Sequence, residues 1–236
     1  MFDLRKPFLT ARWANLCLFN YEVEQERLLP FTPAGCELEA SEGKAFLSLV
    51  AFDFLDTRVM GVGWPGYRNF PELNLRFYVR RGHRRGVCFI REFIPQRLPC
   101  WIARALYNEP YLAAELHRFT SRRADTEEFE TRLRWADAAH VLRLTVGPER
   151  SMPEADSEEH FFKEHKWGYG RDHQGRTLEY KVLHPAWLVR PVLDYQVRFE
   201  CGKVYGPEWT FIDHLEPRSV CFAVGSEVAV FPGRIV

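Results

Sequence analysis

The stretch Glu72-Leu73-Asn74-Leu75-Arg76-Phe77-Tyr78-Val79 alternates polar and apolar side chains without a break. A period of two is that of a β-strand. It puts Glu72, Asn74, Arg76 and Tyr78 on one face and Leu73, Leu75, Phe77 and Val79 on the other. A polar face of this kind either meets water or lines the inside of a closed sheet. Inside a sheet, a carboxylate and a guanidinium have left water and each needs a partner, because an isolated buried charge is too costly to persist. Two readings stand side by side: an internal ion pair that braces the sheet, and a ligand site.

The flanking segments set this strand among others. Residues 45–56 are nearly continuously apolar, as in a strand covered on both faces, and residues 12–23 form a first strand rich in aromatic and apolar side chains. A loop carrying Gly61, Gly63, Pro65 and Gly66 leads into the alternating strand, where it is a candidate rim for a site. The basic run 80–86 has glycines near its ends and no interleaved aromatics, so it reads as a solvated hairpin tip, with a strand at 87–94 after it. Further strands are expected at 36–40, 114–120, 128–135, 141–146, 177–183 and 194–199, with 219–224 and 227–231 as a closing pair. Short helices are expected at 23–29, 99–107 and 153–165, one or two helical turns at 207–214, and turns at 168–176. Many short strands with few helices predict a mainly β, β-rich α+β fold, a barrel or two packed sheets, in a single domain over residues 1–236.

Charge removes several classes of partner. Lys plus Arg and Asp plus Glu number 32 each, so no global field gathers nucleic acid or an anionic membrane. The N-terminus lacks an apolar signal region and no apolar run approaches the roughly 20 residues of a membrane span, which predicts a soluble, cytoplasmic protein. Six cysteines are scattered with no CxxC spacing, as expected of buried thiols in a reducing compartment. His160 and Glu164 lie one helical turn apart, but no HExxH or His-x-His pattern accompanies them, and that segment reads as a solvated helix rather than a metal site. There is no Gly-x-Ser-x-Gly elbow, G-x-G-x-x-G or Walker-type loop, so no metal and no cofactor is expected. Nineteen Phe and seven Trp exceed the needs of a modest core. This supports an alternative reading as a scaffold that binds a protein partner or a second copy of itself, a homo-oligomer.

Five segments carry a family resemblance: Thr10-Ala11-Arg12-Trp13-Ala14-Asn15-Leu16, Ala45-Phe46-Leu47-Ser48-Leu49-Val50, Phe54-Leu55-Asp56-Thr57-Arg58, the run from Arg68 through Arg76, and His184-Pro185-Ala186-Trp187. Together they resemble the YqjF-like family, a bacterial domain of unknown function, over nearly the whole chain. That family is similar in turn to acetoacetate decarboxylases, which implies an acetoacetate decarboxylase-like β-barrel or double sheet. The decarboxylases use a lysine Schiff base on β-keto acids, with the lysine at the end of a segment written R-E-x-x-x-[FY]-P-K. Here Arg104 and Pro110 coincide with that segment, but the lysine position holds Tyr111. A phenol has no amine with which to form an imine, so Schiff-base decarboxylation is not expected at this position. The resemblance implies instead a pocket for a small carboxylate or carbonyl ligand. In it Glu72 and Tyr111 would be the acid–base pair, and Asn74, Arg76, Arg104, His184 and Trp187 the binding wall.

Overall fold

The computed structural model describes residues 6–41, 44–97 and 110–236. Strands β1 (Leu9–Glu24) and β4 (Lys44–Val59) pair antiparallel over most of their length. β4 pairs with β5 (Phe70–Arg81), the alternating strand, and β5 turns through Gly82 and His83 into β6 (Arg84–Ile94). β11 (Trp167–Arg171) runs parallel to β6 and pairs with β12 (Thr177–Leu183). β15 (Ser219–Val230) pairs with both β12 and β1. Seven strands therefore close into a ring, which removes most free sheet edges and creates an inside.

A second, four-stranded antiparallel sheet lies against the outside of the ring. It consists of β8 (Glu115–Arg123), β9 (Thr126–Trp135), β10 (Ala138–Val146) and β14 (Val192–Arg198), in the order β14-β10-β9-β8. Phe129 of β9 stacks on Phe222 of β15 at 4.8 Å, and Trp135 meets Phe93 edge-on at 5.0 Å. Leu73, Leu75, Phe77 and Val79 are fully buried in this inter-sheet core. Their β5 neighbours Glu72, Asn74, Arg76 and Tyr78 are also buried, on the ring's inner side. The mainly β fold is as expected, and the alternating strand is covered on both faces.

Several elements differ from expectation for local reasons. The helix expected at 153–165 is only α1 (Glu158–Lys163), because the Ser157 hydroxyl accepts from the His160 N–H at 3.2 Å and starts the helix there. Residues 23–29 give two 3₁₀ turns, Gln25–Arg27 and Leu29–Phe31, and 36–40 gives two short strands, Glu37–Leu38 and Ala40–Ser41. The turn-rich reading of 168–176 fails at its start, where β11 is a strand. A Cβ on Gly168 would lie 2.0 Å from the Tyr180 ring, so this glycine permits close packing rather than a turn. The closing pair at 219–231 is one continuous strand, β15, kinked at Gly225 with φ +83°. The helix expected at 99–107 lies outside the described residues, and Arg104 with it.

Candidate functional site

The ring encloses a cavity of about 740 Å³. One end is closed by α1, whose Phe162 packs against Tyr78 and Phe46 with ring centroids 5.5 and 5.2 Å apart. The same residue ties α1 to the wall through its backbone, since Arg76 Nη2 donates to the Phe162 carbonyl at 3.0 Å.

Register places the polar groups in one row. Asn74 on β5 lies beside Glu92 on β6, and Glu92 lies beside Tyr111 on the short parallel strand β7 (Tyr111–Ala113). Within this row Glu72 is the acceptor: Asn74 Nδ2 donates to its Oε1 at 2.8 Å and the Tyr111 hydroxyl to its Oε2 at 2.7 Å. Burial pushes the Glu72 carboxyl above the usual carboxylate range. Hydrogen bonds with Asn74, Tyr111 and Glu92 and the charge of Arg76 oppose that rise without cancelling it. Glu92, the register neighbour of Asn74, is buried beside this carboxyl. Burial, followed by the charges of Glu72 and Glu92, holds the Tyr111 phenol well above its usual value; it stays a proton donor.

The side-chain partners described for Glu72 include Asn74 and Tyr111 and that for Arg76 is the Phe162 carbonyl, while the Arg76 charge still acts on the Glu72 carboxyl. The Nε of Arg76 is buried and, among the described residues, has no hydrogen-bond partner. Lys163, almost completely buried, lines the same cavity and pairs with Glu164. His165 hydrogen-bonds through Nε2 to Glu39 at 2.7 Å. Burial pushes His165 down to about 4 despite that carboxylate, so at neutral pH it is uncharged, with Nε2–H donating and Nδ1 left as an acceptor.

Of the residues expected to form the site, Glu72, Asn74, Arg76, Tyr111, His184 and Trp187 all line this one cavity. His184 stacks on Trp187 at 4.2 Å, and Trp187 Nε1 donates to Ser226 Oγ at 2.8 Å. Arg104 falls outside the described residues. Sequence reasoning missed Glu92, Lys163 and His165. Glu92 was hidden by a bulge between β5 and β6 where the register shifts at Leu75/Arg76: Val87 and Phe89 face the cavity, then Glu92 and Ile94. A strict period of two, counted from Val87, turns Glu92 outward. Lys163 and His165 sat in a segment read as a solvated helix. The adjacent Phe161-Phe162 was the signal that one side of it is buried.

Residues 10–227 match DUF2071, a family described as an uncharacterized conserved protein. Among curated proteins the chain is similar to the uncharacterized protein YqjF of Bacillus subtilis (strain 168), 30% identical over 105 residues. That match spans 44% of this chain and 43% of that protein's length. Among solved structures it is similar to the enduracididine biosynthesis enzyme MppR complexed with pyruvate (TM-score 0.65, 14% identity, 98% of this chain and 91% of that one). It is also similar to acetoacetate decarboxylase from Legionella pneumophila (TM-score 0.65, 14% identity, 98% and 87%). At this identity the likeness is one of fold: the chain has the acetoacetate decarboxylase-like fold.

Proposed function

The chain belongs to the DUF2071 family of uncharacterized conserved proteins, and from that premise we propose that its cavity binds a small carboxylate or carbonyl compound at the Glu72–Arg76–Tyr111 end. The observation that carries this reading is the set of buried polar atoms around the cavity. Asn74 Oδ1, Arg76 Nε, His165 Nδ1, Thr57 Oγ1 and Trp13 Nε1 have no hydrogen-bond partner among the described residues, and all belong to cavity-lining residues. Leaving such an atom unsatisfied costs about 1–3 kcal/mol, so the residues lining this one cavity carry unused hydrogen-bonding capacity, which supports an oxygen-bearing ligand. The fold neighbours support the same chemistry, one being a pyruvate complex and another a decarboxylase of a keto acid.

In this reading Arg76 holds an oxyanion, the Tyr111 hydroxyl turns its one proton from Glu72 to the ligand's carbonyl oxygen, and Glu72 orients the phenol and acts as base. Tyr111 offers no amine for an imine. Lys163 is the one lysine lining the cavity among the described residues, and Glu164 occupies its ammonium. Borohydride reduction in the presence of acetoacetate is therefore expected to leave the mass of the protein unchanged, and a stable adduct mapped to a lysine would overturn this part.

The main test is a thermal-shift screen of keto and hydroxy acids, since a ligand at 100 times its Kd stabilises the folded state by about 2.7 kcal/mol. Arg76→Gln and Tyr111→Phe are each expected to weaken any hit about tenfold or more, as loss of a charged or carboxylate-coupled hydrogen bond implies. Hits whose affinity ignores both changes, and Glu72→Gln as well, would remove the pocket assignment.

A further inference from the structure

The cavity is far larger than its polar end, and its composition changes along a single direction. On β5 the lining runs Arg76, Asn74, Glu72, Phe70, with Phe52 beside Glu72 and Phe54 beside Phe70 on β4. Phe54 and Phe70 stack at 4.8 Å, and Trp13 meets Phe54 edge-on at 5.8 Å. From there the wall continues apolar through Val59, Val182 and Val230 to the loop between β4 and β5. At about 3.3 Å per residue, Arg76 to Phe70 alone is roughly 20 Å of wall.

The far end of this corridor is lined by Met60, Val62 and Trp64, which are 66%, 52% and 56% exposed. Three large apolar side chains exposed within five residues, at the mouth of an apolar space, are not scattered surface hydrophobes. The loop that presents them is built rather than loose: Val59 and Val62 exchange backbone hydrogen bonds at 3.0 Å, and the Met60 N–H donates to the Phe8 carbonyl at 2.8 Å. A volume of about 740 Å³ is that of pockets for drug-sized molecules, not for an acid of three or four carbons.

We infer that the ligand is amphipathic: a keto or carboxylic acid whose oxygen-bearing end sits at Arg76 and Tyr111, and whose acyl chain or ring system lies along Phe54 and Phe70 and emerges against Met60, Val62 and Trp64. This rests on the carboxylate or carbonyl reading above and adds the apolar body to it. The polar end fixes orientation while the corridor supplies most of the affinity, because each methylene buried there contributes independently of the head group.

The test is calorimetric titration of the full chain with a homologous series, pyruvate, 2-oxohexanoate, 2-oxooctanoate and 2-oxodecanoate, each below its micelle-forming concentration. Affinity is expected to rise about fourfold per methylene through the length of the corridor. Trp64→Ser, checked for an unchanged far-ultraviolet spectrum, is expected to weaken 2-oxodecanoate several-fold and leave pyruvate unaffected. A series flat with chain length that still weakens in Arg76→Gln would overturn the amphipathic ligand and leave the polar site standing. A series that rises with length but ignores both Arg76→Gln and Tyr111→Phe would overturn the head-group reading, and this inference with it.

Discussion

Gly225→Ala is expected to destabilise the protein by about 2–5 kcal/mol, a large share of the stability of an ordinary domain. Gly225 holds φ +83°, where an L-residue pays about 1–2 kcal/mol. Its added Cβ would also lie 2.0 Å from the Trp13 carbonyl oxygen, a backbone atom that cannot swing aside, and forced overpacking adds about 1–3 kcal/mol. For a chain of this size the melting temperature should fall by roughly 4–20 °C. The change reaches the cavity as well. Ala14 lies opposite Gly225 and Trp13 opposite Ser226, so moving this kink displaces Trp13 from the wall and the Ser226 hydroxyl that holds Trp187. Gly170→Ala is the control, with ordinary backbone and nothing described within 4 Å of the new methyl, and should shift the melt by little. A Gly225→Ala protein that melts within a degree or two of the parent would show that the strands can separate here without loss.

Acidification should expose a second large effect, centred on His165. Its folded value is pushed down to about 4 from an ordinary 6.5, chiefly by burial, with the charges of Arg85 and Arg76 adding to that push and Glu39 resisting it. A depressed histidine gives stability that is fully present above 6.5 and lost as pH falls toward 4, because the unfolded chain takes up the proton first. The integrated effect is about 3 kcal/mol. Glu39 works in the same sense. Burial would raise its carboxyl, but hydrogen bonds from His165 and Arg85 outweigh that and hold it low, so its contribution is lost as pH falls through the folded value. Glu72, raised by burial, titrates in the opposite sense, so the informative quantity is a difference between two proteins rather than the parent profile alone. His165→Gln keeps a donor for Glu39 and removes the titration. Its stability, measured by urea unfolding at several pH values, should fall less steeply than the parent's between pH 6.5 and 4. Parallel profiles would place the acid sensitivity elsewhere.

Much of the fold was legible because the chain writes its faces plainly. The alternation at 72–79 identified a strand with an apolar face for the core and left its polar face open between water and an interior, and the continuous apolar run at 45–56 identified a strand buried on both sides. What the sequence hid were departures from simple periods. A bulge turned Glu92 inward where counting by twos turns it outward. Gly168 fell in a stretch read as turns and Gly225 in the gap between the two strands expected at 219–224 and 227–231, whereas each allows another group, the Tyr180 ring or the Trp13 backbone, to come close. Lys163 and His165 follow a polar stretch that looks solvated in isolation. Only the closure of the ring by α1 puts them indoors, and no local pattern carries that long-range fact.

The double burial of β5 also divides the labour of its residues by parity. Even-numbered positions from 72 to 76 meet the cavity, and odd-numbered ones from 73 to 79 fill the seam under the second sheet. Substitutions at Glu72 or Asn74 can therefore retune what the cavity accepts without touching that seam. A single inserted residue between them would exchange the two sets at a stroke, driving Leu and Phe side chains into the cavity and charges into the seam. Diversity in this protein's relatives should accordingly accumulate along β5 as replacements and almost never as changes in length.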